Sequence, residues 1–392
     1  MITYQIVEPS DYKQVLKLKN YCFRPAYEGK RLKDFMHWVN ISTVQGAFDQ
    51  KELVSQLIIL PLKMTVFGVP YEMGGIGFVS TYPEYRNAGI MKRVLLQSLK
   101  TMRANGQIIS VLSPFSVSFY RHFGWELFFD KIKYELPTQQ LVSIDKKAGK
   151  IYRFDELHPD FIYWFSKIKT FYNEQIATQN GRMIRKDDWW QRLLNRTLET
   201  SFAVYTDEFG QVMGYLRYTI QNLTMELLDF NAVNYESQQS LWQFIQSHTA
   251  EVEKIVGEAS NQESFGTALL NPQFQQNIVQ DKMIRIIDVE RFLQSYPFCK
   301  IDEPLYLNVR DKQAEWNNQV FKIEQEGHIS AVKILNIEEA LSIDIGKLSA
   351  LMIGYHSLDW YVFRKEAVGS IKIIKQWGEA LPKDYPSFYD YF

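Results

Sequence analysis

Arg86, Asn87, Ala88 and Gly89 stand between an apolar run, Gly75 to Thr81, and an amphipathic run that begins at Ile90. A strand that ends in such a turn and opens directly into a helix aims several backbone N–H groups at one point. The positive end of the helix dipole backs them. This is the geometry of a pyrophosphate cradle. Gly89 lets phosphate approach the backbone closely, Ala88 nearly as well, and the Arg86 guanidinium can supply a charge-assisted hydrogen bond. An Arg-x-x-Gly turn alone is common and usually just an exposed turn. The strand before it and the helix after it single this one out.

A second group follows the next strand: Ser118-Phe119-Tyr120-Arg121-His122-Phe123-Gly124-Trp125. A tyrosine phenol placed there can protonate a departing thiolate, whose conjugate thiol has a pKa of about 8.5 against about 10 for the phenol. The competing reading is a core tyrosine that packs the helix end. His122 is the rival acid, but a single histidine between Arg121 and Phe123 reads as a surface residue.

These groups need elements to hold them. Tyr4 to Val7 reads as a strand, and Ser10 and Asp11 as the cap of a helix carrying Val15, Leu16 and Leu18. Glu52 to Ser80 reads as an antiparallel meander. Its strands are Leu53–Leu60, Leu62–Phe67 and, after a turn at Gly68-Val69-Pro70, Met73–Ser80. The helix after the cradle puts Met91, Val94, Leu95, Leu99 and Met102 on one stripe and ends at Asn105-Gly106. Gln107 to Ser113, with Ile108 to Leu112 as its apolar run, is then a buried strand stopped by Pro114, parallel to the strand before the helix. The result is one mixed α/β sheet, splayed where the cradle sits.

Lys146 to Lys150 reads as a linker, and the next block weakly repeats the first. Ser201–Tyr205 and Val212–Tyr218 form a hairpin, Met225–Phe230 a further strand, and Gln239–Val252 a helix. The connector Asn231 to Glu236 has no Arg-x-x-Gly, so this copy lacks a working cradle. A third block opens near Ile287. It has a helix to Ser295, a strand Leu305–Val309, a hairpin turning at Gly327, and a strand-to-helix junction at Ile343–Met352. The chain ends Ser387-Phe388-Tyr389-Asp390-Tyr391-Phe392, an aromatic tail suited to burial rather than to a solvated terminus.

The 392 residues suggest two or three domains. Lysine plus arginine (44) nearly balance aspartate plus glutamate (45), so no global basic field favours nucleic acid or anionic membrane as a partner. Two distant cysteines, Cys22 and Cys299, indicate neither a disulfide framework nor a metal knuckle, and no metal is expected. The start lacks signal-peptide features and no apolar run reaches membrane-spanning length, so the expected location is cytoplasmic.

Arg86, Gly89, Tyr120, Gly124 and Trp125 together resemble the GNAT acyl-CoA N-acetyltransferases. In these, an Arg/Gln-x-x-Gly-x-Gly/Ala turn binds the coenzyme A pyrophosphate and Tyr-x-x-x-Gly-Phe follows the next strand. The last small residue of the turn is Met91 here. That departure, and the three-block plan, make the chain similar to the Eis (enhanced intracellular survival) branch. The resemblance implies an α+β fold of mixed α/β sheets. A catalytic GNAT domain would span 1–148, a degenerate second GNAT-like domain 149–286, and a sterol-carrier-protein-2-like domain 287–392 whose C-terminus enters the active site.

The resemblance also implies function. Acetyl-CoA would be the co-substrate, with Phe78, Val79 and Ser80 meeting the pantetheine and acetyl carbonyl. Arg86, Asn87, Ala88, Gly89, Ile90 and Met91 would hold the pyrophosphate. Tyr120 would be the general acid and the α-carboxylate of Phe392 the general base. The acceptor would be a primary amine of a small polyamine-like molecule, aminoglycosides among them, attacking directly in a ternary complex. Glu28, Asp34 and Asp390 are the candidate acceptor-binding acids, and Phe23, Phe35 and Trp38 the candidate pocket aromatics. A homo-oligomer, a hexamer, is implied as well. The alternatives are a non-catalytic acyl-CoA sensor and a lipid or sterol carrier.

Overall fold

Strand pairing gathers the chain into three sheets, seen in a computed structural model that describes residues 1–141, 148–197, 199–260, 274–324, 327–333 and 339–392. Lys146 and Lys147 of the expected linker lie outside the described residues. Two compact units result. The first holds Met1–Phe129, Gln179–Ile184 and Asp281–Phe392; the second holds Asp130–Thr178 and Arg185–Gln280.

The first unit begins with β1 (Ile2–Ile6), α1 (Tyr12–Cys22), α2 (Gly29–Ile41), β2 (Thr43–Asp49), β3 (Glu52–Val66) and β4 (Val69–Thr81). Then come α3 (Ile90–Ala104), β5 (Ile109–Leu112), the short α4 (Val117–Arg121) and β6 (Glu126–Leu127). The sheet order is β1-β2-β3-β4-β5, then the strand Met283–Ile286, then β6. β4 and β5 run parallel and the other pairs antiparallel. The strand Met283–Ile286 arrives from far along the chain and lies between β5 and β6.

The sequence suggests a break at Pro61, yet β3 runs unbroken through it. The reason is local. β2 pairs with β3 only as far as Ile59, and the segment Gln179–Ile184 takes over that side from Lys63 onward, where Ile184 N donates to Lys63 O. Pro61 falls in the gap, where no N–H is required of it.

α3 buries Ile90, Val94, Leu95, Leu99 and Met102, as the stripe requires, with Met91 half-buried. The same unit carries a five-stranded sheet built from Leu305–Arg310, Val320–Ile323, Ile329–Val332, Leu341–Asp344 and Ala367–Val368. Leu307, Val309, Phe321 and Ile343 fill its inner face and are essentially inaccessible.

The second unit is a seven-stranded sheet with the strand Lys131–Pro137 next to its edge and a core around Leu136, Ala203, Leu216, Met225, Leu241 and Ile255. Its helix Tyr235–Gln246 starts earlier than the apolar pattern alone indicates, because Asn234 caps it. Among the described residues no helix is long and apolar enough to cross a membrane, and no cluster of His, Cys, Asp and Glu could hold a metal ion.

Candidate active site

β4 pairs with β3 in one register up to Ile58–Gly77 and resumes at Gln56–Ser80. One extra residue has entered β4, so Phe78 and Val79 share the span opposite Leu57. Phe78 takes φ +52°, an uncommon value for a bulky residue. β4 pairs with β5 only from Met73–Ile109 to Ile76–Leu112. From Gly77 onward the two parallel strands no longer pair, and the bulge at Phe78 stands at that opening. Ser80 Oγ donates to Phe78 O at 3.0 Å and braces the bulge. The Phe78 ring meets Phe35 and Phe23 edge-on, at centroid distances of 5.0 and 5.9 Å.

Past β4 the chain makes a single tight turn over Pro83–Tyr85 and reaches Arg86, whose backbone N–H donates to Pro83 O at 3.1 Å. Arg86 Nε donates to Thr81 O, and Arg86, Asn87, Ala88 and Gly89 are exposed. Asn87 and Gly89 both take positive φ, +61° and +71°. A Cβ at Gly89 would meet nothing, so glycine is needed there for its backbone conformation and not for space. Gly89 is the N-cap of α3 and no side chain caps that end. The first N–H groups of α3, at Ile90 and Met91, therefore have no intrahelical acceptor. In the second unit the corresponding helix closes its own N-terminus: Asn234 Oδ1 accepts from Ser237 N at 2.9 Å, and Ser237 Oγ from Asn234 N at 3.1 Å.

Tyr120 sits on α4, whose Ser116 N-cap accepts from Phe119 N. It is 1% exposed and ringed by Phe115, Phe119 and Trp125. Burial pushes its phenol well above the usual value, and no charge or hydrogen bond opposes it. The phenol stays protonated throughout the physiological range. His122 is exposed and stands edge-on to Phe123.

Gly124 takes φ +84°, and a Cβ there would run into the guanidinium of Arg285. Arg285 is wholly buried on the strand Met283–Ile286. Its Nη1 donates to Phe123 O at 2.6 Å and its Nη2 to Asp311 Oδ2 at 2.7 Å. Asp311 also accepts from Asn317 Nδ2 and from the backbone of Gln313 and Ala314. The glycine after the tyrosine thus makes room for a buried ion pair that holds the loop following Tyr120. Arg285 and Asp311 have no local signature in the sequence; only the glycine hints at them.

The C-terminal tail packs against the same sheet. Phe388 packs on Phe128, Tyr389 on Phe129, and Phe392 on Phe388. The Phe392 ring stands 3.0 Å from where a Cβ at Gly75 would be, and its carboxyl carbon 3.8 Å from where one at Gly77 would be. Two glycines, two apart, leave one face of β4 bare, and the last residue occupies it.

Across the opening, Phe35 and Trp38 are buried and Phe23 is exposed. The Lys19 amine lies over the Tyr27 ring, 2.9 Å from its centroid, with the Phe35 ring 5.7 Å away. Burial, helped by the charge of Arg31, pulls Lys19 down to about 8. Glu28 is exposed ahead of α2, whereas Asp34 and Asp390 are buried.

An acetyltransferase (GNAT) domain family matches residues 3–128, a second GNAT domain family matches residues 181–286, and a sterol carrier protein domain matches residues 289–388. No curated protein sequence matches the chain. Among solved structures, a conserved protein of unknown function from Enterococcus faecalis V583, described as a probable N-acyltransferase, is 26% identical with a TM-score of 0.91. A GCN5-related N-acetyltransferase from Anabaena variabilis ATCC 29413 is 20% identical with a TM-score of 0.86. Eis1 from Mycobacterium abscessus, at 16% identity and a TM-score of 0.81, shares the fold. Each of the three matches covers 100% of both chains. The two GNAT matches together span more than half of the chain, and the sterol carrier domain completes the Eis-like architecture. The chain is thus an acetyltransferase built of two GNAT domains and a sterol carrier protein domain, the Eis-like tandem-GNAT plan, with acetyl-CoA as co-substrate.

Proposed function

We propose that the enzyme acetylates a primary amine of a small polyamine-like molecule, with aminoglycosides among the candidates, by direct attack in a ternary complex. The observation that carries this reading is the Phe392 carboxyl group packed over Gly77, one residue before the bulge at Phe78. In this reading the amides of Phe78, Val79 and Ser80 polarise the acetyl carbonyl. The N–H groups from Arg86 to Met91, with the Arg86 guanidinium, hold the pyrophosphate. The Phe392 carboxylate takes a proton from the acceptor ammonium, directly or through water. Tyr120 Oη gives its proton to the leaving thiolate and is reprotonated by the second proton that the nitrogen sheds on becoming an amide. Burial keeps Tyr120 protonated, and the same apolar surroundings raise the basicity of a thiolate formed beside it.

Only the first GNAT block is assigned chemistry. The uncapped α3 N-terminus after Gly89 supports this, and so does the self-capped helix at Asn234. The filled inner face of the five-stranded sheet favours a structural role for the sterol-carrier-like domain over lipid carriage. A cytoplasmic homohexamer completes the proposal, and light scattering tests the assembly. The functional test is thiol release from acetyl-CoA against aminoglycosides, polyamines and lysine peptides. Turnover with at least one amine supports the reading. Tight acetyl-CoA binding with no turnover on the whole panel favours an acyl-CoA sensor.

A further inference from the structure

The segment Gln179–Ile184 belongs to the first unit, although the sequence on both sides of it belongs to the second. It pairs along the far half of β3. Gly181 N donates to Thr65 O at 2.9 Å, Thr65 N to Arg182 O at 2.8 Å, and Gly68 N to Gln179 O at 3.2 Å. Its other side grips the C-terminal tail, and Asn180 is the centre of that grip. Asn180 is 2% exposed, and its carboxamide is fully used. Oδ1 accepts from Phe67 N at 3.0 Å. Nδ2 donates to Ile353 O at 2.8 Å and to Asp384 O at 3.1 Å. Its backbone O accepts from Ser387 N at 3.0 Å.

The Asn180 side chain thus ties together the turn between β3 and β4, the end of the helix Ile345–Met352 and the tail at Asp384, and its backbone carbonyl adds the tail at Ser387. The neighbours reinforce the clip. A Cβ at Gly181 would lie 2.9 Å from Ser387 N and 3.0 Å from Pro386 Cβ, so the tail runs directly over a glycine. The Arg182 guanidinium stacks on Tyr389, 5.1 Å from its centroid. Five residues beyond Ser387, Phe392 reaches Gly75 and Gly77.

We infer that Asn180 is the positioning residue that sets the register of the C-terminal tail and so holds the Phe392 carboxylate over Gly77. The inference rests on reading that carboxylate as the base. An extended chain advances about 3.3 Å per residue, so a slip of one residue at Ser387 would carry the carboxylate out of hydrogen-bond reach. A misplacement of even about 1 Å can cost a hundredfold in rate. Asparagine is specified because the site offers one N–H donor and two carbonyl acceptors. Aspartate would turn both donations into repulsions.

The test compares Asn180→Asp, Ser387→Pro and a chain lacking Phe392. Ser387→Pro removes the tail's own N–H and sets a ring carbon where that N–H meets Asn180 O, so it displaces the tail at Ser387 while Asn180 itself stays, and it reports even where the Asn180 variant folds poorly. The readouts are kcat, the KM for acetyl-CoA, and the rate at which carboxypeptidase Y releases Phe392 from the folded protein. The expected result is a kcat lowered about 30- to 100-fold, a KM for acetyl-CoA within about twofold, and Phe392 released at least tenfold faster. A merely structural role would not move the release rate in step with kcat. Unchanged kcat in both point variants, with the chain lacking Phe392 inactive, overturns the inference and leaves the base assignment standing. Full activity in the chain lacking Phe392 overturns the base assignment and this inference with it.

Discussion

The carboxyl group of Phe392 rests on Gly77, its carbon 3.8 Å from the position a Cβ would occupy there. Any side chain at Gly77 longer than a methyl group would compete with that group for the same space. The ring of Phe392 makes the same demand of Gly75. The bare face of β4 and the aromatic tail are therefore one device, built from positions 317 and 315 residues apart.

Tyr120 is assigned the proton donor, so Tyr120→Phe keeps the packing and removes only the acid. Loss of general acid catalysis typically costs 10²- to 10⁴-fold. The expected outcome is a fall of about that size in kcat with acetyl-CoA affinity nearly unchanged, read by steady-state thiol release and by titration of the folded protein. Because burial raises the phenol well above its usual value, the wild-type rate should show no alkaline fall from this group up to about pH 10. An unchanged kcat in the variant removes Tyr120 from the chemistry.

Gly89→Ala tests the cradle. The space around Gly89 is open, so the substitution meets no clash and strains only the positive φ. Holding a non-glycine residue in that region costs about 1 kcal/mol, which corresponds to a loss of roughly fivefold in acetyl-CoA affinity if the cradle must keep this shape. Isothermal titration measures it. Unaltered affinity would show that the conformation of Gly89 does not matter to binding.

Asp311→Ala leaves the Arg285 guanidinium buried without its carboxylate. Breaking one side of a buried ion pair typically costs about 3–5 kcal/mol. The urea midpoint of the variant should fall accordingly. The double variant Arg285→Met/Asp311→Ala should lose less than the two single variants together. Strict additivity would mean that the two residues are not coupled.

Lys19 gives a signed pH dependence. Its amine loses a proton near pH 8 in the folded chain and near 10.5 in the unfolded one. Between these values the unfolded chain holds more protons, so this group makes stability rise with pH across that window. Lys19→Met removes the rise. The melting temperature of wild type relative to the variant should increase between pH 7.5 and pH 9.5. A constant difference contradicts the burial of the charged amine.

The parts of the site that are contiguous in sequence were legible in it. The Arg86-to-Gly89 turn declares itself by a strand before and an amphipathic helix after. Tyr120 and Gly124 declare themselves by spacing, and the tail by its aromatic content. The parts made by distant pairing were not. The bulge at Phe78 depends on the register of β4 against β3, and nothing in Gly77-Phe78-Val79 marks it. Arg285 reads as one charged residue in an apolar run, and its meaning lies in Asp311 and Gly124. Asn180 looks like an ordinary turn residue next to Gly181, because all its partners lie more than a hundred residues away. The strand Met283–Ile286 gives no sign in the sequence that it returns to the first sheet.

In the proposed reaction, acetyl transfer depends on the α-carboxylate of Phe392 seated on Gly77. The most direct measurement is amine-dependent thiol release by the chain as it stands and by the same chain with one glycine added after Phe392, using whichever amine of the screened panel turns over fastest. The expected result is a loss of at least a hundredfold in kcat, with acetyl-CoA binding unchanged. A fully active extended chain would contradict it.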